Sequence, residues 1–497
     1  MKTNALAFLL ISCLLLLLAS SCGFDGDKWQ TELPKIGSSS SPAATDLTGD
    51  GIKDIVIGGG AKEFSRTETG VTALDGATGQ LIWSVAAHNQ IVGSPVFQDI
   101  NEDDIQDVFI GGRSAIFMAL DGKTGDKIWE FLPFDQKIDY VNDTTILNFF
   151  NPQWVHDVDE DGFLDLITAY GGFVKAQHGD ENRPAGYLMV LSGRTGEKLA
   201  QIRMPDGKET YMSPIVYDFG QGDEVIFGSG GEDISGSLYR TPLADLLAGN
   251  ELINPTNLLS GGKKGFIAPP VLADVNGDNI KDVVVCTVDG RLVAISGADN
   301  AVIWTASPGG EFDTYTMPGP GLFTGDDQVP DFFASFGKGA WPTTEYTVHL
   351  LVDGKTGRVV FQDTLGTFQY ASPLVADFTK DGKADVLLAI NTRTTQDVLG
   401  DPTEFYANGL YVYAGGRGPV QQAFLSHLGS NLGSTPLLDD LDGDGYIDIV
   451  TAYMGDAQNF YSFKNLVVER REISPRTSGI FWGNYMGPQG KGIMQQQ

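Results

Sequence analysis

Apolar residues along this chain gather in short β-branched runs and not in helical stripes. IVIGGG (Ile55–Gly60), VFIGGR (Val108–Arg113), LITAYGG (Leu166–Gly172), VVVCTV (Val283–Val288) and VLLAIN (Val386–Asn391) each pass into a turn-forming segment. Such runs read as strands. A second apolar run follows, such as AIFMAL (Ala115–Leu120), then a turn and a further strand such as KIWEF (Lys127–Phe131). With the Ser-Pro-led segment in front, this makes about four short strands per unit, punctuated by Gly, Asp and Asn. Helical periodicity is almost absent, the clearest exception being LADLLAG, Leu243–Gly249.

An acidic ladder precedes these runs and shows that the unit repeats. It appears as DLTGDGIKD from Asp46, DINEDDIQD from Asp99, DVDEDGFLD from Asp157, DVNGDNIKD from Asp274, DFTKDGKAD from Asp377 and DLDGDGYID from Asp440. Two degenerate copies, around Asp218 and ending at Asp331, fill the gaps. The copies lie roughly 50 to 60 residues apart, within the range for blades or solenoid turns. Proline stands ahead of the ladder at Pro42, Pro95, Pro214, Pro270, Pro373 and Pro436, which fixes the register upstream as well. The expectation is an all-β protein, a β-propeller of eight four-stranded blades, with seven as the alternative. Radial repetition leaves only short, protected sheet edges.

The ladder also has the chemistry of a cation site. Calcium takes six to eight oxygen ligands, and a tight turn with oxygen donors at alternating positions points several of them inward. Position one is Asp46, Asp99, Asp157, Asp274, Asp377 or Asp440, and position three is Thr48, Asn101, Asp159, Asn276, Thr379 or Asp442. Position five is Asp50, Asp103, Asp161, Asp278, Asp381 or Asp444, and position nine is Asp54, Asp107, Asp165, Asp282, Asp385 or Asp448. Position six is Gly51, Gly162, Gly382, Gly445, Asp104 or Asn279, residue types that tolerate a left-handed backbone. An EF-hand opens in the same way but ends in Glu and enters a helix, whereas here the ninth residue enters a strand at once.

These copies resemble the FG-GAP repeats of integrin α-subunit propellers and related bacterial proteins. The resemblance implies several calcium ions bound between blade strands, over residues from about 41 to 455. At the degenerate copies Phe323 and Gly325 stand at ligand positions, and the Asp218 unit is shortened. The six loops carry 23 of the chain's 64 acidic residues, so without cations each repels itself. The four-carboxylate loops at Asp157 and Asp440 are expected to bind more tightly than the Thr-containing loops at Asp46 and Asp377.

A second motif runs through the same units. ALDGATGQLIW (Ala73–Trp83) and ALDGKTGDKIW (Ala119–Trp129) resemble the A-x-D-x-x-T-G-x-x-x-W repeat of quinoprotein dehydrogenase propellers. Weaker copies start at Val190, Ala294 and Leu351. Physically this is blade architecture: Asp and Thr satisfy a Gly-containing turn, and the Trp packs between neighbouring sheets. That family's propellers have eight blades. A pyrroloquinoline quinone (PQQ) cofactor is not expected, because the vicinal cysteine pair of several such enzymes is missing and the docking motif also occurs in non-enzymatic scaffold lipoproteins.

The ends of the chain carry separate expectations. Lys2 precedes an apolar run, Ala5 to Ala19, that reads as an export signal over residues 1–21. Leu18-Ala19-Ser20-Ser21-Cys22 resembles a bacterial lipobox, which implies acylation at Cys22, a membrane partner through the lipid, and a place in the cell envelope. Residues 22–40 read as a linker in which Trp29, ahead of SSSSP, supplies the outer strand of the last blade; the propeller spans 41–475 and an aromatic, glycine-rich tail 476–497 packs against it. Cys286 remains as a core thiol, so no disulfide framework exists.

Charge and motifs narrow the function classes. A net charge of −31 repels nucleic acid. The five histidines, His88, His156, His178, His349 and His427, are scattered, and no catalytic constellation emerges. The reading is therefore a calcium-bearing scaffold for a protein or glycan ligand and not an enzyme, with a calcium-dependent polysaccharide lyase or a quinoprotein as alternatives. Insertions from Gly171, Phe336 and Asn391 are candidates to line one face.

Overall fold

The computed structural model describes residues 26–132, 143–173, 175–249, 254–325, 327–339, 344–418, 420–424, 426–476 and 479–494. Eight antiparallel sheets follow one another along the chain, each a blade, and together they form an eight-bladed β-propeller. Blade 1 is built of Ala43–Thr45, Asp54–Gly58, Thr67–Leu74 and Leu81–Ala87, paired in that order. Its second strand is buried at every residue and the third over its last five, as strands between two neighbouring sheets must be. The outer strand alternates between buried and partly exposed positions. The other blades repeat the plan, so the β-branched runs that follow the ladders are buried as second strands, throughout in Asp107–Gly111 and Asp282–Thr287 and over the first seven residues of Asp385–Val398.

Ring closure is non-covalent. The outer strand of blade 8 is Asp27–Pro34, paired antiparallel with Asn465–Arg476, which places Trp29 opposite Arg470. The core lies between blades and not within them. One apolar cluster joins blades 1 and 2, and others join 2 to 3, 3 to 4, 7 to 8 and 8 to 1, while the largest runs through blades 4 to 7.

Two sequence motifs stitch neighbouring blades. The indole Nε1 of Trp29 donates to the Gly76 carbonyl of blade 1 at 2.8 Å, that of Trp83 to Gly122 of blade 2 at 2.8 Å, that of Trp129 to Gly193 of blade 3 at 3.0 Å, and that of Trp304 to Gly354 of blade 6 at 2.6 Å. Each ring lies over the turn's second glycine, where a Cβ at Gly79 would stand 2.5 Å from the Trp29 ring. The Asp75 carboxylate accepts from both the backbone and the hydroxyl of Thr78, as the motif required. The residues before the prolines form a belt around the channel: Ser41 N–H donates to Ser94, Ser94 N–H to Asn151, Ser372 N–H to Thr435 and Thr435 N–H to Ser41.

The tail packs inside this belt. Ile480–Trp482 pairs with the inner strand Leu374–Ala376 of blade 7, and Met494 reaches Leu272 of blade 5. Between them the segment doubles back, with Trp482 fully buried and Met486 and Met494 nearly so. The inner strands thus enclose a filling drawn from the same chain, the Gly483 carbonyl accepting from Leu438 of blade 8 and that of Gly490 from Gln153 of blade 3.

Candidate metal loops and a cavity on the opposite face

In an antiparallel blade the turn after the inner strand and the turn between the third and outer strands lie on one face. The turn between the second and third strands lies on the other, beside the connection to the next blade. The acidic ladders occupy the first face. Their six position-six residues, Gly51, Asp104, Gly162, Asn279, Gly382 and Gly445, all have positive φ, as read from the sequence. Position four is left-handed as well, even where it is Glu102, Glu160 or Lys380, which the sequence did not reveal.

The ladder carboxylates organise their own loops. Asp46 accepts from the N–H groups of Gly49 and Gly51, and Asp99, Asp157, Asp274, Asp377 and Asp440 bind the same part of their turns. Asp50, Asp103, Asp161, Asp278, Asp381 and Asp444 each accept from the N–H two residues on. At position three, the Asn101 and Asn276 amides donate to Asp107 and Asp282, while Thr48 and Thr379 offer their N–H groups to Asp54 and Asp385.

Position nine has a structural task that sequence reasoning missed. Asp54 is buried, and its carboxylate accepts from Leu47 and Thr48 of its own loop and from Gly76 of the next turn at 2.8 Å. Asp107, Asp165, Asp282 and Asp385 make the corresponding bonds to Gly122, Gly193, Gly297 and Gly415. So does Asp331, to Gly354, although its loop has lost the ladder. That retained Asp331 was the available signal: a ninth residue kept without the others serves the backbone. Burial pushes all these carboxyls above their ordinary range, against the pull of the backbone donors. In the shortened unit Asp218 merely caps its tight turn through Gly220 and Gly222.

Carboxylates converge at only some loops. Among the described residues, Asp157, Asp159 and Asp165 bring one oxygen each within 4.8 Å of one another, and so do Asp440, Asp442 and Asp448. A third group joins Asp442 and Asp444 to Glu472. In blade 8, however, a cation side chain is already present. Arg470 donates through Nε to Asp448 at 2.8 Å and through Nη2 to Asp442 at 2.6 Å. Its Nη1 reaches the Gly76 carbonyl at 2.8 Å, beside Trp29. The reason is topological. Blade 8 has no turn between its third and outer strands, because the outer strand comes from the other end of the chain, so Asp448 lacks a turn glycine and Arg470 supplies the donor. Asp442 is held low although burial works to raise it, since the Arg470 bond and charge prevail. Cys22 lies outside the described residues.

The opposite face carries a cavity of about 500 Å³ over the channel, lined by residues from every blade-to-blade connection and by Tyr485 of the tail. The Gly171 insertion contributes Ala176, His178 and Arg183 to its wall, whereas the Asn391 insertion forms a ribbon, Asp385–Val398 with Asp401–Tyr413, tipped by the fully exposed Leu399. Part of the Phe336 insertion lies outside the described residues. Arg183 is saturated: it donates to Glu209 at 2.9 Å, Asp233 at 2.6 Å, Tyr211 at 3.2 Å and the Gln177 carbonyl at 2.8 Å. Burial and the Glu209 charge push the Tyr211 phenol well up. His178 Nδ1 lies 2.7 Å from Asp233, while His88 and His349 are buried structural rings and His156 and His427 lie off this cavity.

Fold and repeats together define an eight-bladed propeller with PQQ-like repeat motifs. Residues 27–148, the closing strand and the first two blades, match the protein family described as "Outer membrane protein assembly factor BamB". Human Protein FAM234B is 23% identical over 368 residues, covering 68% of this chain and 54% of the relative. The chain therefore spans about half the length of the curated relatives it matches. Among solved structures, quinohemoprotein alcohol dehydrogenase from Comamonas testosteroni superposes with a TM-score of 0.53 at 12% identity, over 89% of this chain and 76% of that one. The exotype rhamnogalacturonan lyase YesX gives 0.51 at 12% identity, over 88% and 72%. At such identities the likeness is one of fold, which enzymes and non-enzymes share.

Proposed function

We propose that this protein is an exported, lipid-anchored β-propeller, stabilised by calcium on one face and presenting the other as a ligand-binding face for a protein or glycan. The carrying observation is the separation of the two features: the acidic ladders lie on the turn face, and the aromatic, charged cavity lies on the face of the long connections. Calcium in those loops would brace blades and stay remote from a ligand in the cavity, which favours a binding scaffold over calcium-dependent lyase chemistry. The FG-GAP pattern of the ladders supports the ion, and the lipobox-like segment ending at Cys22 supports the anchor. A BamB-like match over the first blades accords with a cell-envelope location. No helix among the described residues is long and apolar enough to cross a membrane.

Two measurements test this reading. Elemental analysis of the purified protein should find several calcium ions, and a chelator should lower its melting temperature; a metal-free protein with an unchanged melt would refute the first half. Cys22→Ala should move the protein from the membrane to the soluble fraction, and persistence in the membrane would refute the anchor.

A further inference from the structure

The cavity holds two arginines in opposite states. Arg183 is satisfied on all sides by Glu209, Asp233, Tyr211 and two carbonyls, with only 4% of its side chain exposed. Arg113, at the end of the second strand of blade 2, is three-quarters buried yet poorly met. Its Nη2 lies 3.5 Å from Glu63, its Nε donates to Gln90 at 3.3 Å, and its guanidinium stands 5.1 Å from the centre of the Phe64 ring. Charge-assisted pairs normally close to about 2.7–2.9 Å. The Arg113 side chain keeps 25% exposure toward the cavity, and partial burial draws its pKa down against the opposing pull of the Glu63 charge.

The floor beside Arg113 continues outward. A second groove of about 550 Å³ lies over the rim between blades 8 and 1 and shares Glu63, Phe64, Tyr461 and Phe463 with the cavity. Lys62 and Lys464 line it as well, Lys464 being paired with Asp456 at 3.0 Å. One continuous lining therefore joins a loosely paired arginine, three aromatic rings and Lys62. Aromatic faces suit the C–H faces of sugar rings, and the basic groups suit carboxylates spaced along a chain. Phosphate groups, at about −1.5 to −2 each, would meet Glu63, Glu232 and Asp233 less favourably than single-charge carboxylates spaced between neutral sugar faces.

We infer that this path binds an acidic oligosaccharide, with Arg113 gripping one sugar carboxylate in place of Glu63 and the Phe64, Tyr461 and Phe463 rings carrying the sugar faces. This deepens the ligand-face reading above and rests on it. The aromatic rings between the basic groups favour the C–H faces of a glycan over a peptide.

Calorimetric titration of the calcium-loaded, full-length protein provides the test, with tetrasaccharides of galacturonate and of glucuronate-containing glycans as probes. Each is paired with its carboxyl-reduced counterpart, and a peptide with a free C-terminus serves as a further probe. At least one acidic tetrasaccharide should bind tenfold or more tightly than its reduced counterpart. Arg113→Gln should bring binding of the acidic sugar down to that of its reduced counterpart, and Arg113→Lys should restore part of the difference. Phe64→Ala, at an exposed rim position, should weaken acidic and neutral sugars alike. Equal binding of acidic and reduced sugars, or an unaffected Arg113→Gln variant, would overturn the inference while leaving the ligand face standing. Arg113-dependent capture of the peptide alone would assign the path to a protein and overturn it too. No binding by any probe would refute the inference, and failure of a proximity-labelling screen on this face as well would refute the ligand face itself.

Discussion

The loops of blades 3 and 8 carry the same four carboxylates at positions one, three, five and nine, yet they are differently equipped. In blade 3, Asp157, Asp159 and Asp165 converge; among the described residues no side-chain cation pairs with Asp159 or Asp165, and Asp165 reaches a turn glycine, Gly193. In blade 8, Arg470 sits against Asp442 and Asp448, with Lys28 3.7 Å from Asp442. Identical ladders thus acquire opposite needs from their position in the ring. On the calcium reading proposed above, the first takes its cation from solution; the second has one built in, because closure removed the turn that would otherwise have served Asp448.

The largest effect should come from breaking that built-in pair. Arg470→Met leaves the buried Asp448 without its partner and should cost about 3–5 kcal/mol in urea unfolding. Added calcium should recover part of the loss, since the variant's loop then resembles that of blade 3. A loss below about 1 kcal/mol would show that the ring closes without this contact. Next in size, Asp165→Ala removes the acceptor of two backbone N–H groups, those of Val158 and Gly193, and should cost about 1–3 kcal/mol even in metal-stripped protein, which separates the backbone task of position nine from any role with an ion.

Position three then distinguishes the loops as metal sites. Asp159→Asn should remove one calcium ion by elemental analysis, or weaken calcium-dependent stabilisation by about 1.4 kcal/mol for each tenfold of affinity lost. Asp442→Asn should leave the ion count unchanged. The reverse result would mean that calcium displaces Arg470, and the sequence-based expectation of tight binding at Asp440 would then hold.

The smallest effect is in pH dependence, and its sign differs between the loops. Burial raises the Asp165 carboxyl, so in metal-stripped protein its contribution is fully present below the unfolded value of about 4 and is lost as pH rises through the folded value. Asp442 is held low despite its burial, so its contribution is present above about pH 4 and is lost as pH falls through the folded value. Urea midpoints from pH 3 to 7 should therefore fall less steeply with rising pH in Asp165→Asn, where the other buried position-nine carboxyls keep the rest of the limb, and show a smaller acid-side loss in Asp442→Asn.

Most of the fold was legible because a repeated unit states its strands many times over. Trp29 and Trp83 even revealed the closing strand, since a docking indole needs a partner turn wherever it occurs. The ladders were legible in their spacing and in the left-handed position six. Arg470 was not, because its role arises from the absence of a turn in one unit and is visible only once the ring is closed. Nor was the cavity, whose wall draws single residues such as Arg113, Tyr211 and Tyr370 from connections that share no motif. The sequence singled out the Gly171 insertion as one wall; it could not show that Arg183 within it would be spent on Glu209 and Asp233.

The closing strand has a consequence for how the molecule is made. Trp29 meets Arg470 only after roughly four hundred intervening residues have been synthesised, so the first strand must wait as an unpaired edge while seven blades assemble beside it. During that interval the exposed indole and the bare third strand of blade 8 are the two halves of an unmade joint. A second chain at the same stage offers the same halves, and concentration during synthesis then decides between closed rings and swapped pairs.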